Sequence, residues 1–198
     1  MTQEKSLRIR RAILHIVSGI IILLLTIYYK DTRWLLFYGL ILGIILSFLS
    51  FIIKIPVIGF FLENFELKRH RDEFPGKSLL FFVAGSLLVI KLFPQNIALA
   101  SIAILTFADP ASYFFSRVGR KYKNPINNNK TLASFLFSIL VAFIAASFFI
   151  EAKYAVIAAI FSMLAESFNI KIWEDHLDDN FLIPLVAGTS IYIAQMVF

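Results

Sequence analysis

The sequence predicts an all-α polytopic membrane protein, a compact bundle of about seven transmembrane helices. Three observations predict it. Hydrophobic residues make up 59% of the 198 residues, against about 45–50% in soluble proteins. Mean hydropathy is +0.80 and charged residues are only 16%. The apolar residues also fall in runs near the roughly 20 residues that a membrane span needs. A water-soluble globular enzyme, a disordered tail and a nucleic-acid-binding module are excluded on these grounds. Cysteine is absent, which excludes disulfides, thiolate metal sites and a cysteine nucleophile.

Seven spans are expected at 12–29, 33–53, 78–93, 97–118, 132–150, 152–168 and 181–197. The first follows a polar, basic stretch and ends at Tyr28-Tyr29-Lys30-Asp31. Small-residue cleavage chemistry is missing there, so a retained signal anchor is expected. The third is short, with Lys91 placed to snorkel at its end. The fourth contains Asp109-Pro110. Proline removes a donor and clashes with the preceding turn, so a kink or break is expected. Residues 1–198 form a single integral membrane domain in this reading.

Orientation comes from Lys and Arg in the connections. Fifteen of the nineteen lie in the N-terminal stretch and in the second, fourth and sixth connections; Lys30, Arg33, Lys91 and Lys153 are the other four. The N-terminus is therefore expected in the cytosol and the C-terminus outside. The three long polar connections, near 54–77, 117–131 and 169–180, then share the cytosolic side and form the site. A channel or transporter would need polar residues reaching both faces, and few stand near the outer one.

Asp109 is the sharpest candidate. Counting from Ile97 at about 1.5 Å per residue puts it roughly 18 Å into the span, where an ionised carboxylate needs a partner, a metal or water. Ser112 and Ser116 follow on the same helical face. A structural Asp–Arg pair is the plain alternative. The basic loop Arg117, Gly119, Arg120, Lys121 and Lys123 to Lys130 suits an anion, although the positive-inside rule alone would place such charges here. Thr131 can cap the helix starting at Leu132. The mixed loop around Arg71 and Lys77 suits a phosphate or headgroup, or is simply solvated. Glu174, Asp175, Asp178 and Asp179 run against the basic bias, and such hard oxygen ligands suit Mg²⁺ beside phosphates. Glu166 lies near the inner end of the sixth span. His15 follows Arg11 by one turn, and packing is as good a reading for it as catalysis.

These residues together resemble the CTP-dependent lipid kinase family: dolichol kinase, phytol kinase and CTP-dependent diacylglycerol kinase. The likeness is carried by Arg71, Glu73, Pro75-Gly76-Lys77, Gly85 and Phe93-Pro94; by Asp109-Pro110-Ala111-Ser112 and Arg117-Val118-Gly119; and by Lys130-Thr131-Leu132. Glu166, Asp178-Asp179-Asn180 with Pro184, and the Arg11 and His15 pair complete it. Ser116 stands where the family has glycine, and Ser134-Phe135 where it has Gly-Ser. The signature of the distantly related phosphatidate cytidylyltransferases is missing.

The resemblance implies transfer of the γ-phosphate of a nucleoside triphosphate, CTP, to a lipid alcohol: a polyprenol, a phytol-type alcohol or diacylglycerol. Arg117, Gly119, Arg120, Lys130, Thr131, Lys77 and Arg71 would bind nucleotide phosphates. Mg²⁺ would sit on Asp109, Asp178 or Asp179. Asp109 or Glu166 would act on the alcohol, supported by Arg11, His15, Ser112 and Asn180. The partners implied are a membrane lipid, the nucleotide and the bilayer, with no nucleic acid. The expected location is the plasma membrane of a prokaryote or the endoplasmic reticulum of a eukaryote. The rival readings are a cytidylyltransferase-like enzyme and a small transporter.

Overall fold

A computed structural model describes residues 2–53, 56–66, 74–116, 122–124, 126–127, 130–168, 171–172 and 175–198. Eight helices stand among them: α1 (Thr2–Tyr28), α2 (Thr32–Ile52), α3 (Pro56–Phe65), α4 (Lys77–Leu92), α5 (Gln95–Phe115), α6 (Leu132–Ser147), α7 (Ala152–Ser167) and α8 (Asp179–Val197). A two-stranded antiparallel ribbon, β1 (Lys171–Ile172) and β2 (Asp175–His176), joins α7 to α8. Seven helices occupy the seven expected segments. Four of them are long and apolar enough to cross a membrane: Ser6–Tyr28, Thr32–Ile52, Gln95–Phe115 and Asp179–Val197. Leu132–Ser147 is a shorter apolar helix.

Three expectations change. The connection near 54–77 is not polar throughout, because α3 occupies it. Its sequence PVIGFFLENF is largely apolar, and Pro56 is pre-organised for the first helical position. The helix α1 starts at Thr2 and carries Arg8, Arg10 and Arg11 as helical residues. Finally, α5 is not broken at Pro110 but continues to Phe115.

The bundle is organised around α5, which packs against α1, α4, α6, α7 and α8. It can meet so many neighbours because Ala98, Ala100, Ser101, Ala103 and Ala108 keep its surface slim, and small residues let helix backbones approach closely. Its hydroxyls cost nothing in this setting: Ser101 and Thr106 donate to the carbonyls of Ile97 and Ile102. By contrast α2 packs mainly on α4 and leaves most of its apolar surface exposed, as a lipid-facing helix would.

Glycines mark the closest approaches. A Cβ at Gly19 would overlap the Thr106 side chain, and one at Gly85 would run into the backbone of Asn180 and Phe181. Before α4, Phe74-Pro75-Gly76-Lys77 forms a turn closed by the Lys77 amide on the Phe74 carbonyl, 3.1 Å. Gly76 has φ 81° and ψ 7°, the type II geometry that wants proline then glycine. The turn is pinned on both sides. Ser47 donates to the Pro75 carbonyl at 2.6 Å, and the Gly76 amide donates to Glu66 Oε2 at 2.5 Å.

Backbone cannot slide aside as a side chain can. Gly85→Ala is therefore expected to push α4 from α8 and cost about 1–3 kcal/mol of stability. Gly39→Ala, which faces open space, is expected to cost nothing. Thermal unfolding of the two variants in detergent checks this.

Candidate active site

The functional candidates collect at one end of the bundle. Helix α1 brings a polar stripe, Arg8, Arg11, His15 and Ser18, spaced three and four residues apart so that it faces one way. Helix α4 brings Ser78, α5 brings Asp109 and Tyr113, and α8 brings Asn180. These side chains line a cavity of about 300 Å³, together with the apolar Ala12, Leu14, Phe65, Leu79 and Phe82. The cavity lining is thus mixed, with charged and apolar side chains together.

One hydrogen-bond network crosses three helices at this end. Arg11 Nη2 donates to Ser78 Oγ at 2.9 Å. Asn180 Nδ2 donates to the Ser78 carbonyl at 3.3 Å and to Asp178 Oδ1 at 2.8 Å. Asp178 caps α8, its Oδ1 accepting the Asn180 amide at 3.0 Å. Burial pushes the Asp178 carboxyl above its ordinary value, against the two hydrogen bonds from Asn180. Outside the cavity, Arg10 holds Asn64 of α3 at 2.7 Å.

A second network joins the segment before α6 to α7. Asn124 is buried, donates from Nδ2 to Ser167 Oγ at 3.2 Å, and exchanges a backbone bond with Lys130. That clamp delivers Lys130 Nζ to Glu166 Oε1 at 2.5 Å, where Glu166 is only 3% exposed. Burial alone would lower the Lys130 ammonium, but the Glu166 carboxylate outweighs it and holds the group above its usual value. Thr131 caps α6, Oγ1 accepting the Ser134 amide at 3.1 Å. Ser134 Oγ donates to the Ser112 carbonyl at 2.7 Å, tying α6 to α5.

Asp109 stands between the two networks. It is in electrostatic range of Arg11 and Asp178 on one side and of Lys130, Glu166 and Asp179 on the other. Among the described residues His15 approaches it, with Nδ1 3.7 Å from Oδ2. Asp179 is repelled by Asp109, Glu166 and Asp178 and attracted by Lys130. Among the described residues no three acids or histidines converge into a metal cage.

The structure therefore brings Arg11, His15, Asp109 and Asn180 to one cavity, and Ser112, Lys130, Thr131 and Glu166 to the neighbouring cluster. Asp178 and Asp179 start α8 beside both. Lys77 opens α4 and attracts Asp178. Arg71, Arg117, Gly119 and Arg120 lie outside the described residues. Sequence reasoning missed Arg8, Ser18, Ser78 and Tyr113. The signal for the first two was present in the three-and-four spacing along α1. Ser78 had no signal beyond its place after Gly76-Lys77.

The described residues form a helical bundle with four helices long and apolar enough to cross a membrane and an end cavity lined by both charged and apolar side chains. The chain is similar to CTP-dependent diacylglycerol kinase 1 of Schizosaccharomyces pombe, 24% identical over 144 residues that cover 64% of each chain. The chain thus spans less than two thirds of the length of that relative. This likeness supports the resemblance to the CTP-dependent lipid kinases. No family model and no solved structure matches the chain.

Removing one partner of a buried ion pair leaves an uncompensated charge, at about 3–5 kcal/mol, whereas replacing both with apolar groups is often neutral. Lys130→Met alone is expected to destabilise the protein. Lys130→Met with Glu166→Leu is expected to restore most of the unfolding midpoint without restoring activity. A double variant that recovered both would make the pair purely structural.

Proposed function

We propose that the protein is a CTP-dependent lipid kinase that moves the γ-phosphate of CTP to the hydroxyl of a membrane lipid alcohol. The observation that carries this reading is the placement of Asp109 between two charged networks, in a cavity lined by both charged and apolar side chains. A lipid would be met by the apolar side chains and a nucleotide by the cations. The likeness to the fission-yeast CTP-dependent diacylglycerol kinase 1 favours CTP as the donor and diacylglycerol as the acceptor; polyprenol and phytol-type alcohols share the chemistry.

Phosphoryl transfer depends on positioning and charge neutralisation more than on covalent chemistry. Lys130, fixed and kept cationic by Glu166, faces the phosphates. The basic residues Lys77, Arg71, Arg117 and Arg120 belong to the same task. Asp109, which lines the cavity, orients the alcohol and takes its proton as the oxygen attacks the γ-phosphorus and the bond to the β-phosphate breaks, releasing CDP. Glu166 is committed to Lys130 and serves as its positioning partner. Mg²⁺ fits the acids at the start of α8: Asp179 is repelled by three neighbouring carboxylates, which a divalent cation would relieve. It binds through one or two carboxylates plus phosphates, so Asp178 and Asp179 would hold it, and when bound it neutralises phosphate charge.

The membrane arrangement proposed is seven spans with the N-terminus and the site in the cytosol and the C-terminus outside. It rests on the Lys and Arg distribution and on the common end shared by the charged clusters. A tag after Phe198 that reports from the cytosol would overturn it.

Incubating the purified protein with γ-labelled CTP and a panel of lipid alcohols is expected to label the lipid. Label entering the lipid from the α-phosphate instead would make the protein a cytidylyltransferase. Asp109→Asn is nearly isosteric and is expected to fold normally while transfer falls by about a hundredfold or more, the usual scale for losing such stabilisation. Normal turnover in that variant would misplace the site.

A further inference from the structure

We propose that His15 and Asp109 form a hydrogen-bond-accepting subsite for the hydroxyl of the lipid alcohol, with His15 Nδ1 as the atom that recognises it. The proposal deepens the kinase reading and rests on it for the identity of the ligand.

The ring is held in one orientation and one tautomer. His15 Nε2 lies 3.0 Å from the carbonyl oxygen of Leu105. A carbonyl oxygen can only accept, so Nε2 carries the hydrogen. In the neutral imidazole Nδ1 is then the acceptor. Phe82 packs edge-on against the ring, with centroids 4.6 Å apart at 81°.

Nδ1 points at Asp109 Oδ2, 3.7 Å away. That is beyond hydrogen-bond length, and an imidazole lone pair and a carboxylate oxygen have nothing to exchange. Both residues line the cavity, the His15 side chain 14% exposed and that of Asp109 30%. The ligand that suits two neighbouring acceptors brings a hydrogen to donate, and the Leu14, Phe65, Leu79 and Phe82 side chains around them suit a hydrocarbon chain. A hydroxyl on a long apolar body has both features.

Such a site discriminates strongly against an analogue that cannot donate, because its polar atoms are then left unpaired. The test uses the full chain in lipid nanodiscs without nucleotide. Equilibrium binding of tritiated dioctanoylglycerol and farnesol is compared with that of their O-methyl ethers. The wild-type protein is expected to bind at least one alcohol about tenfold or more tightly than its ether. His15→Phe keeps the packing on Phe82 but has no Nδ1, and is expected to bring that ratio close to one. His15→Asn, which can place an amide oxygen near the Nδ1 position, is expected to keep part of the preference.

Equal binding of alcohol and ether by the wild-type protein for both pairs would overturn the proposal, as would an unchanged ratio in folded His15→Phe. Tighter binding of the corresponding amine would also overturn it, making this a cation site. The outcomes separate from those of the kinase assay. An alcohol preference without phosphate transfer would leave the subsite standing and remove the kinase reading; transfer without the preference would do the reverse.

Discussion

A carboxylate carried into an apolar bundle has to find its compensation from other helices, and the architecture at the polar end follows from that requirement at Asp109. Its helix, α5, is the most enclosed of the eight described and has no cationic residue of its own among Gln95–Phe115. Charge balance must therefore come from α1 and from the segment that precedes α6. The slim, alanine-rich surface of α5 allows those elements to come close. The small residues upstream and the acid near the end are two parts of one arrangement: tight packing lowers the dielectric around the upstream part of α5, while the Asp109 side chain stays 30% exposed in the cavity.

The buried Lys130–Glu166 pair shows the same logic with a different outcome. Its geometry is direct, and the clamp through Asn124 and Ser167 keeps it so. Among the described residues Asp109 has no equally close partner; His15 stands at 3.7 Å. Acids in such different surroundings take different roles, and on the proposed reading Glu166 belongs to the scaffold of the site and Asp109 to its chemistry.

Much of this was legible in the sequence, for physical reasons that differ by residue. Apolar runs of span length marked seven of the helices, because lipid-facing and core-facing surfaces are both apolar there. Thr131 announced a cap because its side chain can accept a backbone hydrogen where the apolar period begins. Asp109 stood out because a charge inside such a run is expensive. The helix α3 was not legible: its apolar PVIGFFLENF lies between charged residues, and composition over the whole connection hid it. Of the kink or break expected at Pro110 the break is absent: α5 runs on through Pro110 to Phe115, packed on five neighbouring helices. The partnership of Ser78 with Arg11 and Asn180 joins positions far apart in the chain, and no local pattern records it.

The stripe on α1 shows how one helix can serve two phases. Arg8, Arg11, His15 and Ser18 run inward along one face, from guanidinium to imidazole to hydroxyl, so polarity falls with depth. Leu14 and Ala12 lie beside them on the cavity wall. A phosphate is best met at the guanidinium end, where water and salt reach it. A hydroxyl attached to a hydrocarbon chain is best met deeper, where a neutral acceptor is enough and a full charge would be costly. On the proposed reading, ordering the side chains this way would bring a water-borne and a membrane-borne reactant together end to end without either leaving its own solvent. The same reading accounts for the approach of Asp109 to His15: a junction between two phases is where a carboxylate could act on both.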